Sequence, residues 1–147
     1  MTFDMRKMKK MGILLVTVLM LLGADSTVFA TVVYDGAIAM FSKEYVDSNE
    51  WTYICYSIRS SRTTDLEVKI SKIYKADGSD SNYKKVKVYC SGGGYDFSTK
   101  IAQLNTTVSY EVPVGYGASG TTYKLYAMGN DPSLDCQITG SFMACNY

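Results

Sequence analysis

The stretch Lys84–Cys90, KKVKVYC, decides the fold class, because it alternates apolar and polar residues with the two-residue period of a β-strand. Val86, Val88 and Cys90 then share one face, while Lys85, Lys87 and Tyr89 share the other. So regular an alternation is typical of a strand with one buried face and one face in water, as found in antiparallel sheets. The sequence therefore indicates a protein built from such strands.

The preceding segment, Asp65–Tyr74, continues this pattern. Its apolar residues alternate at first, and Ile73 keeps to their face only if Ser71 and Lys72 form a β-bulge. A helix with apolar residues at helical spacing is the alternative interpretation of the same segment. Turn-forming residues, DGSDSN, occupy positions 77–82. The sequence therefore predicts a β-hairpin that joins this strand to the one described above.

Further strands are predicted on both sides of the hairpin, where β-branched and aromatic residues are bounded by turn signals. Trp51–Ser60 has no breaker and looks apolar on both faces, which favours a central position in a sheet. Pro113 cannot donate to a ladder, so Thr107–Val114 is predicted at an edge. The other predicted segments are Thr31–Phe41 (a strand, or a strand pair broken at Asp35-Gly36), a loop at Ser42–Glu50, a strand or helical turn at Ile101–Leu104, a strand at Thr121–Met128 and a strand at Leu134–Met143 with a bulge or kink at Gly140.

The first thirty residues, Met1–Ala30, have the order of a secretory signal peptide. Basic residues lead, the apolar run Gly12–Leu22 follows, and small residues precede the expected cleavage after Ala30. The run is shorter than the roughly 20 apolar residues of a membrane-spanning helix, and a membrane anchor or a buried helix is the alternative. Cleavage of this signal helix would release residues 31–147 through the Sec pathway as a secreted, extracellular protein without a membrane span.

The released chain would form one all-β domain, a small antiparallel β-sandwich of about seven or eight strands. Removing the signal's four basic and two acidic residues from the chain's 15 and 14 leaves 11 and 12, a net charge of −1. Neither a nucleic-acid footprint nor a polybasic membrane patch is visible at that balance. The composition therefore excludes nucleic acid as the expected partner.

All four cysteines, Cys55, Cys90, Cys136 and Cys145, follow the signal. An even number of cysteines in an exported chain favours two disulfide bonds, and all three pairings stay open. Cys90 and Cys136 lie on apolar faces and are expected to point inward. No C-x-x-C pair is present, so a four-thiolate zinc site is not indicated.

The chain contains no histidine, which excludes a Ser-His-Asp triad, a Cys-His nucleophile pair and a histidine-ligated zinc. A pair of carboxylates is the remaining catalytic route, but the acidic residues fall mostly in loops. The acidic loop at 77–82 lacks the closing glutamate of a calcium loop, and the glycines at 92–94 lack a phosphate-loop pattern. We therefore predict no enzyme activity, no catalytic or metal site and no cofactor.

The outward residues around the opening stretch combine charge with aromatic rings. Tyr83, Lys85, Lys87 and Tyr89 are predicted to form a ligand-facing surface. Rings and ammonium groups together suit sugars and polyanions of the teichoic type, whereas an ordinary solvated sheet face is the simpler interpretation. The partner predicted from this surface is a cell-wall glycan or another envelope component.

The C-terminal part resembles a known family. The segments Thr121–Asp131, TTYKLYAMGND, and Cys136–Phe142, CQITGSF, resemble the end of short uncharacterised secreted proteins of Gram-positive bacteria, which are similar in layout to lactococcin-type secreted bacteriocins. The resemblance covers about the last quarter of the chain, and the four cysteines depart from the family's pattern. It implies a secreted β-sandwich and supplies no catalytic residues.

These observations favour a secreted, non-enzymatic β-sandwich that acts as a binding or structural module at the cell envelope. A bacteriocin-like antagonist of neighbouring cells is the alternative, and an enzyme with a carboxylate site is the third hypothesis. The ligand, the disulfide pairing and the oligomeric state are left open by the sequence.

Overall fold

The computed structural model describes residues 31–35, 38–59 and 65–144, and these form an all-β fold of two antiparallel sheets. The signal peptide predicted at Met1–Ala30 and Cys145 lie outside the described residues. The strands are β1 (Thr31–Asp35), β2 (Ile38–Val46), β3 (Thr52–Ile58), β4 (Asp65–Lys75), β5 (Lys85–Gly92), β6 (Tyr95–Asp96), β7 (Lys100–Gln103), β8 (Thr107–Glu111), β9 (Thr122–Gly129) and β10 (Cys136–Met143).

Each sheet has five strands, which confirms the predicted β-sandwich class. The first sheet has the order β1-β2-β10-β4-β8, and the second has β3-β9-β5-β6, with β7 also pairing with β5. The described strands number ten rather than seven or eight. Gly93 and Gly94 adopt φ values of 61° and 82°, which only glycine reaches readily, and this reversal creates the short β6. Residues 100–103 then pair with the other half of β5 as a strand, not as a helical turn.

The predicted hairpin between β4 and β5 is wrong, because these strands belong to different sheets. Both edges of β4 are occupied, one by β10 and the other by β8, so no edge remains for β5. The segment between them does turn, and an isolated bridge joins Tyr74 to Asp80. Its role is to carry the chain from one sheet to the other.

The prediction that β3 lies centrally is also wrong, since β3 is the edge strand of the second sheet. A register shift against β9 between Tyr53 and Cys55 turns Ile54 and Cys55 both toward the core. Tyr53 and Tyr56 consequently face outward and stay substantially exposed. Beyond the bulge, Tyr56 and Ile58 therefore both lie on the outer face of the second sheet.

The loop predicted at Ser42–Glu50 begins five residues later, at Asp47, because β2 continues to Val46. Lys43 has a φ of 54° at the position where the register of β2 against β10 shifts. Its amide donates a hydrogen bond to Thr139 Oγ1 at 3.0 Å. This bulge absorbs the polar residues that the sequence pattern attributes to a loop.

Several local predictions are confirmed. Ser71 is the extra residue where the register of β4 against β10 shifts, and Ile73 returns to the core beyond it. The same shift falls at Gly140, where a bulge was expected. Strand β8 lies at the edge of the first sheet, as its proline indicates. In β9, Tyr123 is buried, as the alternation of that strand predicts.

The core lies between the inner faces of the two sheets. Its largest fully buried side chains include Phe41 and Phe142 from the first sheet and Leu125 from the second. Each large apolar side chain removed from water stabilises the fold by about 1.5–3 kcal/mol. The Tyr110 hydroxyl donates to the Val88 carbonyl at 2.8 Å, which ties the edge strand β8 to the opposite sheet.

The two disulfide bonds expected from the cysteine count are not present among the described residues, where Cys55, Cys90 and Cys136 are buried free thiols. Cys55 on β3 and Cys90 on β5 both align with Leu125 of the intervening β9. Two strand spacings separate them by roughly 9.6 Å, beyond the reach of about 7 Å between bonded cysteine Cα atoms. Packing, not covalent bonding, therefore holds these strands together.

The residues that the structure describes contain no helix with the length and apolar composition needed to cross a bilayer.

Candidate functional site

An exposed group of aromatic rings lies on the outer face of the second sheet, and we name it the aromatic face: Trp51, Tyr53, Tyr89 and Tyr126. Register places three of these residues in one row, with Tyr126 of β9 paired to Tyr53 of β3 on one side and to Tyr89 of β5 on the other. Trp51 directly precedes β3. Three adjacent strands thus build one continuous aromatic surface.

The rings of the aromatic face contact one another in a chain. Tyr89 and Tyr126 stack with centroids 4.8 Å apart and an interplanar angle of 9°. Trp51 meets Tyr89 edge-on at 4.7 Å and 81°, and Tyr53 meets Tyr126 at 5.8 Å and 67°. Because such ring pairs add about 0.5–1.5 kcal/mol beyond their buried area, the group is preorganised.

Trp51 and Tyr53, at the two ends of this series of ring contacts, are more exposed than the two rings between them. Trp51 is 37% and Tyr53 48% exposed, whereas Tyr89 and Tyr126 are half-buried between them. Burial, followed by the nearby Tyr126 and Asp96, raises the pKa of Tyr89. Its phenol therefore stays protonated at neutral pH and is able to donate a hydrogen bond to a ligand.

The ligand-facing surface predicted from the sequence is only partly brought together. Lys85, Lys87 and Tyr89 alternate with the buried positions of β5 and so share the outer face of the second sheet. Tyr83 precedes β5, is half-buried against the core and lines a depression near Leu134. It lines that depression together with Lys85, but it lies outside the strand that carries Lys87 and Tyr89.

Sequence reasoning missed three of the four rings. The outward position of Tyr126 could have been predicted from the sequence, because the alternation of β9 directs this residue outward, opposite to Tyr123. The positions of Trp51 and Tyr53 could not have been predicted in this way, since the bulge in β3 and its edge position depend on pairing with β9. The pairing of Tyr89 with Tyr126 likewise joins residues 37 positions apart along the chain.

A second group of rings runs from the surface into the core. Tyr95 contacts Phe97 at 4.8 Å, and Phe97 contacts the buried Tyr110 and Tyr123 at 5.6 and 6.2 Å. Tyr123 also donates a hydrogen bond to the Tyr116 carbonyl at 2.7 Å. These contacts close one end of the sandwich, which makes this group a part of the core.

Loop carboxylates are used in local hydrogen bonds. Asp47, Asp77 and Asp131 each accept from the backbone amide two residues further on, at 2.6, 2.8 and 3.0 Å. Asp135 accepts from the Tyr45 hydroxyl at 2.5 Å. Hydrogen bonds from Ser79 lower the pKa of Asp77, and hydrogen bonds from Ser133 lower the pKa of Asp131. The hydrogen bond from Tyr45 lowers the pKa of Asp135. Carboxylates held ionised in this way are poor general acids.

Burial makes the three described cysteine thiols inert. Burial raises the pKa of Cys55 to about 12 and of Cys136 to about 11, and it also raises the pKa of Cys90. Because the thiolate is the nucleophile, these thiols are unreactive at neutral pH. Burial also raises the pKa of Glu44, whose neighbour in register on β10 is Ile138. Within the described ranges, no group of three or more metal-ligating side chains could hold an ion.

The outer face of the first sheet differs in character. Its Tyr74 ring is approached by Lys43 Nζ at 4.6 Å and by Lys72 Nζ at 4.8 Å from the centroid. Lys72 also forms an ion pair with Asp80 at 3.3 Å, and Lys43 Nζ donates to the Gly78 carbonyl at 3.3 Å. The Tyr74 ring and the charges of Lys43 and Lys72 therefore contact groups of the fold itself.

Comparison of the chain with protein-family models, with curated proteins and with solved structures finds no match.

Proposed function

We propose that the protein is a secreted, non-enzymatic binding module that attaches to a glycan of the cell envelope through the aromatic face. The observation that carries the proposal is the row of Tyr53, Tyr126 and Tyr89 with Trp51 beside it, on a solvent-facing side of a sheet. One face of a pyranose ring presents mainly C–H bonds, which pack against the electron-rich face of an aromatic ring.

The construction of the fold supports a surface site over a cleft. The second sheet is rigid beneath the rings, because its inner face forms half of the core. Sites on regular strands hold their side chains more precisely than sites on loops. An extended polymer such as a glycan suits a flat, preorganised surface of this kind, since it brings no requirement for an enclosing pocket.

The expected export and the absence of histidine point in the same direction. A signal peptide would deliver the domain to the compartment in which envelope glycans are exposed. The loop carboxylates described above are held ionised and the three described thiols are buried, so these groups supply neither a general acid nor a thiolate nucleophile for hydrolysis. Binding is therefore the activity that we assign to the aromatic face.

The test is co-sedimentation of the protein, purified from the medium of an expressing host, with isolated cell walls of its source. Wild type should show saturable retention, and Trp51→Ala should weaken it by at least about tenfold, as expected when an exposed aromatic contact is lost. Trp51 lies outside the regular strands and is 37% exposed, so its removal should leave the circular dichroism spectrum and melting temperature nearly unchanged.

The matched control is Tyr74→Ala, which removes a tyrosine ring from the opposite outer face and should retain full binding. Loss of retention in both variants would mean a general effect of folding or of hydrophobicity. Equal retention of wild type and Trp51→Ala would refute the assignment to the aromatic face. Absence of retention together with growth inhibition of neighbouring cells would favour the bacteriocin-like alternative.

A further inference from the structure

The charges around the aromatic face show a pattern that neutral sugars do not explain. Lys85, Lys87 and Lys124 are the basic residues at outward positions of β5 and β9, and Asp96 of β6 is the acidic residue placed beside them. The outer face of the second sheet thus carries a local excess of two positive charges. The predicted exported chain as a whole has a net charge of −1.

Two of these lysines bracket the stacked tyrosines. Lys87 lies two residues before Tyr89 on β5, and Lys124 lies two residues before Tyr126 on β9. Because β5 and β9 are antiparallel, the two lysines fall on opposite sides of the ring pair. Strand geometry separates their Cα atoms by roughly 14 Å. A ligand that crosses the rings therefore meets an ammonium group at both ends.

These lysines are not used by the fold. Among the residues that the structure describes, Lys87 and Lys124 form no ion pair, side-chain hydrogen bond or cation–π contact. By contrast, Lys100 donates to the Ser109 carbonyl at 2.6 Å and lies 4.9 Å from the centre of the Tyr110 ring. The charges of Lys87 and Lys124 are consequently available to a partner.

We infer that the aromatic face recognises an anionic polysaccharide, whose pyranose rings contact the aromatic residues while its carboxylate or phosphate groups pair with Lys87 and Lys124. This inference rests on the proposed function, to which it adds the charge of the ligand and two binding residues. The positive excess is local, and the overall balance near neutrality does not favour long-range attraction to nucleic acid or to an anionic membrane.

The experiment measures affinity by titration calorimetry for polyglucuronate, for its neutral parent glucan and for purified wall teichoic acid. We expect the carboxylated polymer, the phosphate polymer or both to bind at least about tenfold more tightly than the neutral glucan at low salt. Added salt should reduce the difference, because exposed ion pairs are screened. The two anionic polymers distinguish carboxylate from phosphate as the recognised group.

The double variant Lys87→Gln/Lys124→Gln should remove most of that advantage, lowering affinity for the preferred polymer by about tenfold. The matched control, Lys69→Gln/Lys75→Gln, removes the same charge from β4 of the first sheet and should bind as wild type. Equal losses of affinity in the two double variants would mean that binding depends on net charge and not on the positions of Lys87 and Lys124, and this would overturn the inference.

The inference and the proposed function fail in distinguishable ways. If Trp51→Ala abolishes binding to all polymers while Lys87→Gln/Lys124→Gln changes nothing, the glycan site stands and the charge requirement is refuted. If Trp51→Ala leaves binding of the anionic polymer intact, the proposed aromatic contact itself is refuted. Equal or tighter binding of a single-stranded oligonucleotide or of anionic phospholipid vesicles would overturn the choice of a polysaccharide.

Discussion

The outer faces of the two sheets contain the same kinds of side chain and use them in opposite ways. On the first sheet, Lys43 and Lys72 approach the Tyr74 ring, and Lys72 pairs with Asp80. On the second sheet, rings contact rings, and Lys87 and Lys124 on either side have no such partners among the described residues. Charges and rings that interact within the fold stabilise it, whereas we propose that those without such partners on the second sheet contact a ligand.

The comparison extends to the strands that support each face. In the first sheet, β10 is held on both sides by β2 and β4, with register shifts around Gly140. In the second sheet, β3 is an edge strand and carries the outermost ring, Tyr53. Changes on the first sheet should therefore alter stability, and changes on the outer face of the second sheet should alter binding.

The largest expected effect is on stability and comes from Gly140→Val. A Cβ atom at this position would overlap the Lys69 carbonyl oxygen and lie 3.0 Å from Phe41 Cζ. Because β10 is fixed on both sides, the backbone has little room to adjust, and we expect a loss of about 3 kcal/mol in the free energy of unfolding. Urea denaturation followed by circular dichroism measures this loss, with Ser141→Ala at the next position as the control that should stay near wild type.

An intermediate effect should separate the two faces directly. Tyr74→Ala removes the ring between two lysines and should cost about 1 kcal/mol of stability without affecting glycan affinity. Tyr126→Ala removes the central ring of the aromatic face and should lower affinity by about tenfold or more. Tyr126→Ala also removes the ring contacts with Tyr53 and Tyr89 and should lower stability, so affinity is the measurement that separates the two variants. A loss of binding in Tyr74→Ala as large as that in Tyr126→Ala would break the contrast.

The smallest expected effect concerns pH. The hydrogen bond to Asp80, followed by the charge of that carboxylate, raises the pKa of Lys72. A raised pKa in the folded state stabilises the protein at pH values below the unfolded value of about 10.4, and this contribution disappears as the pH rises through the folded value.

Asp80→Asn should therefore lower the melting temperature slightly at neutral pH, and the difference from wild type should vanish in alkaline solution. Differential scanning calorimetry across this range measures the effect, and Asp96→Asn on the second sheet is the control in which no such convergence is expected. A difference that stays constant with pH would show that the Lys72–Asp80 pair contributes nothing to folding.

Some of the proposed binding surface could be predicted from local patterns. The alternation in Lys84–Cys90 directs Lys85, Lys87 and Tyr89 away from the core, and the structure agrees. Tyr83 belongs to the same stretch but precedes the strand, so the two-residue period does not apply to it. The direction of its side chain depends instead on the turn before β5, which begins at Lys85.

Other predictions failed because they required knowledge of distant pairing. The two strands β4 and β5 are adjacent in sequence and joined by a strong turn signal, yet each pairs with strands far away along the chain. The cysteine count suggested disulfides, but Cys55 and Cys90 are held apart by β9 between them. Neither the choice of neighbours nor the spacing across a sheet is encoded in a short window of sequence.

The sequence by itself determined that the fold is all-β, which residues of β5, β8 and β9 face inward, and where β4 bulges. These are consequences of side-chain alternation and turn chemistry, which act over a few residues. Only the tertiary structure decided that Trp51, Tyr53, Tyr89 and Tyr126 form one surface bracketed by lysines. The physical reason is that β3, β5 and β9 come together through long-range hydrogen bonding and core packing, in a register fixed by which residues each strand must bury.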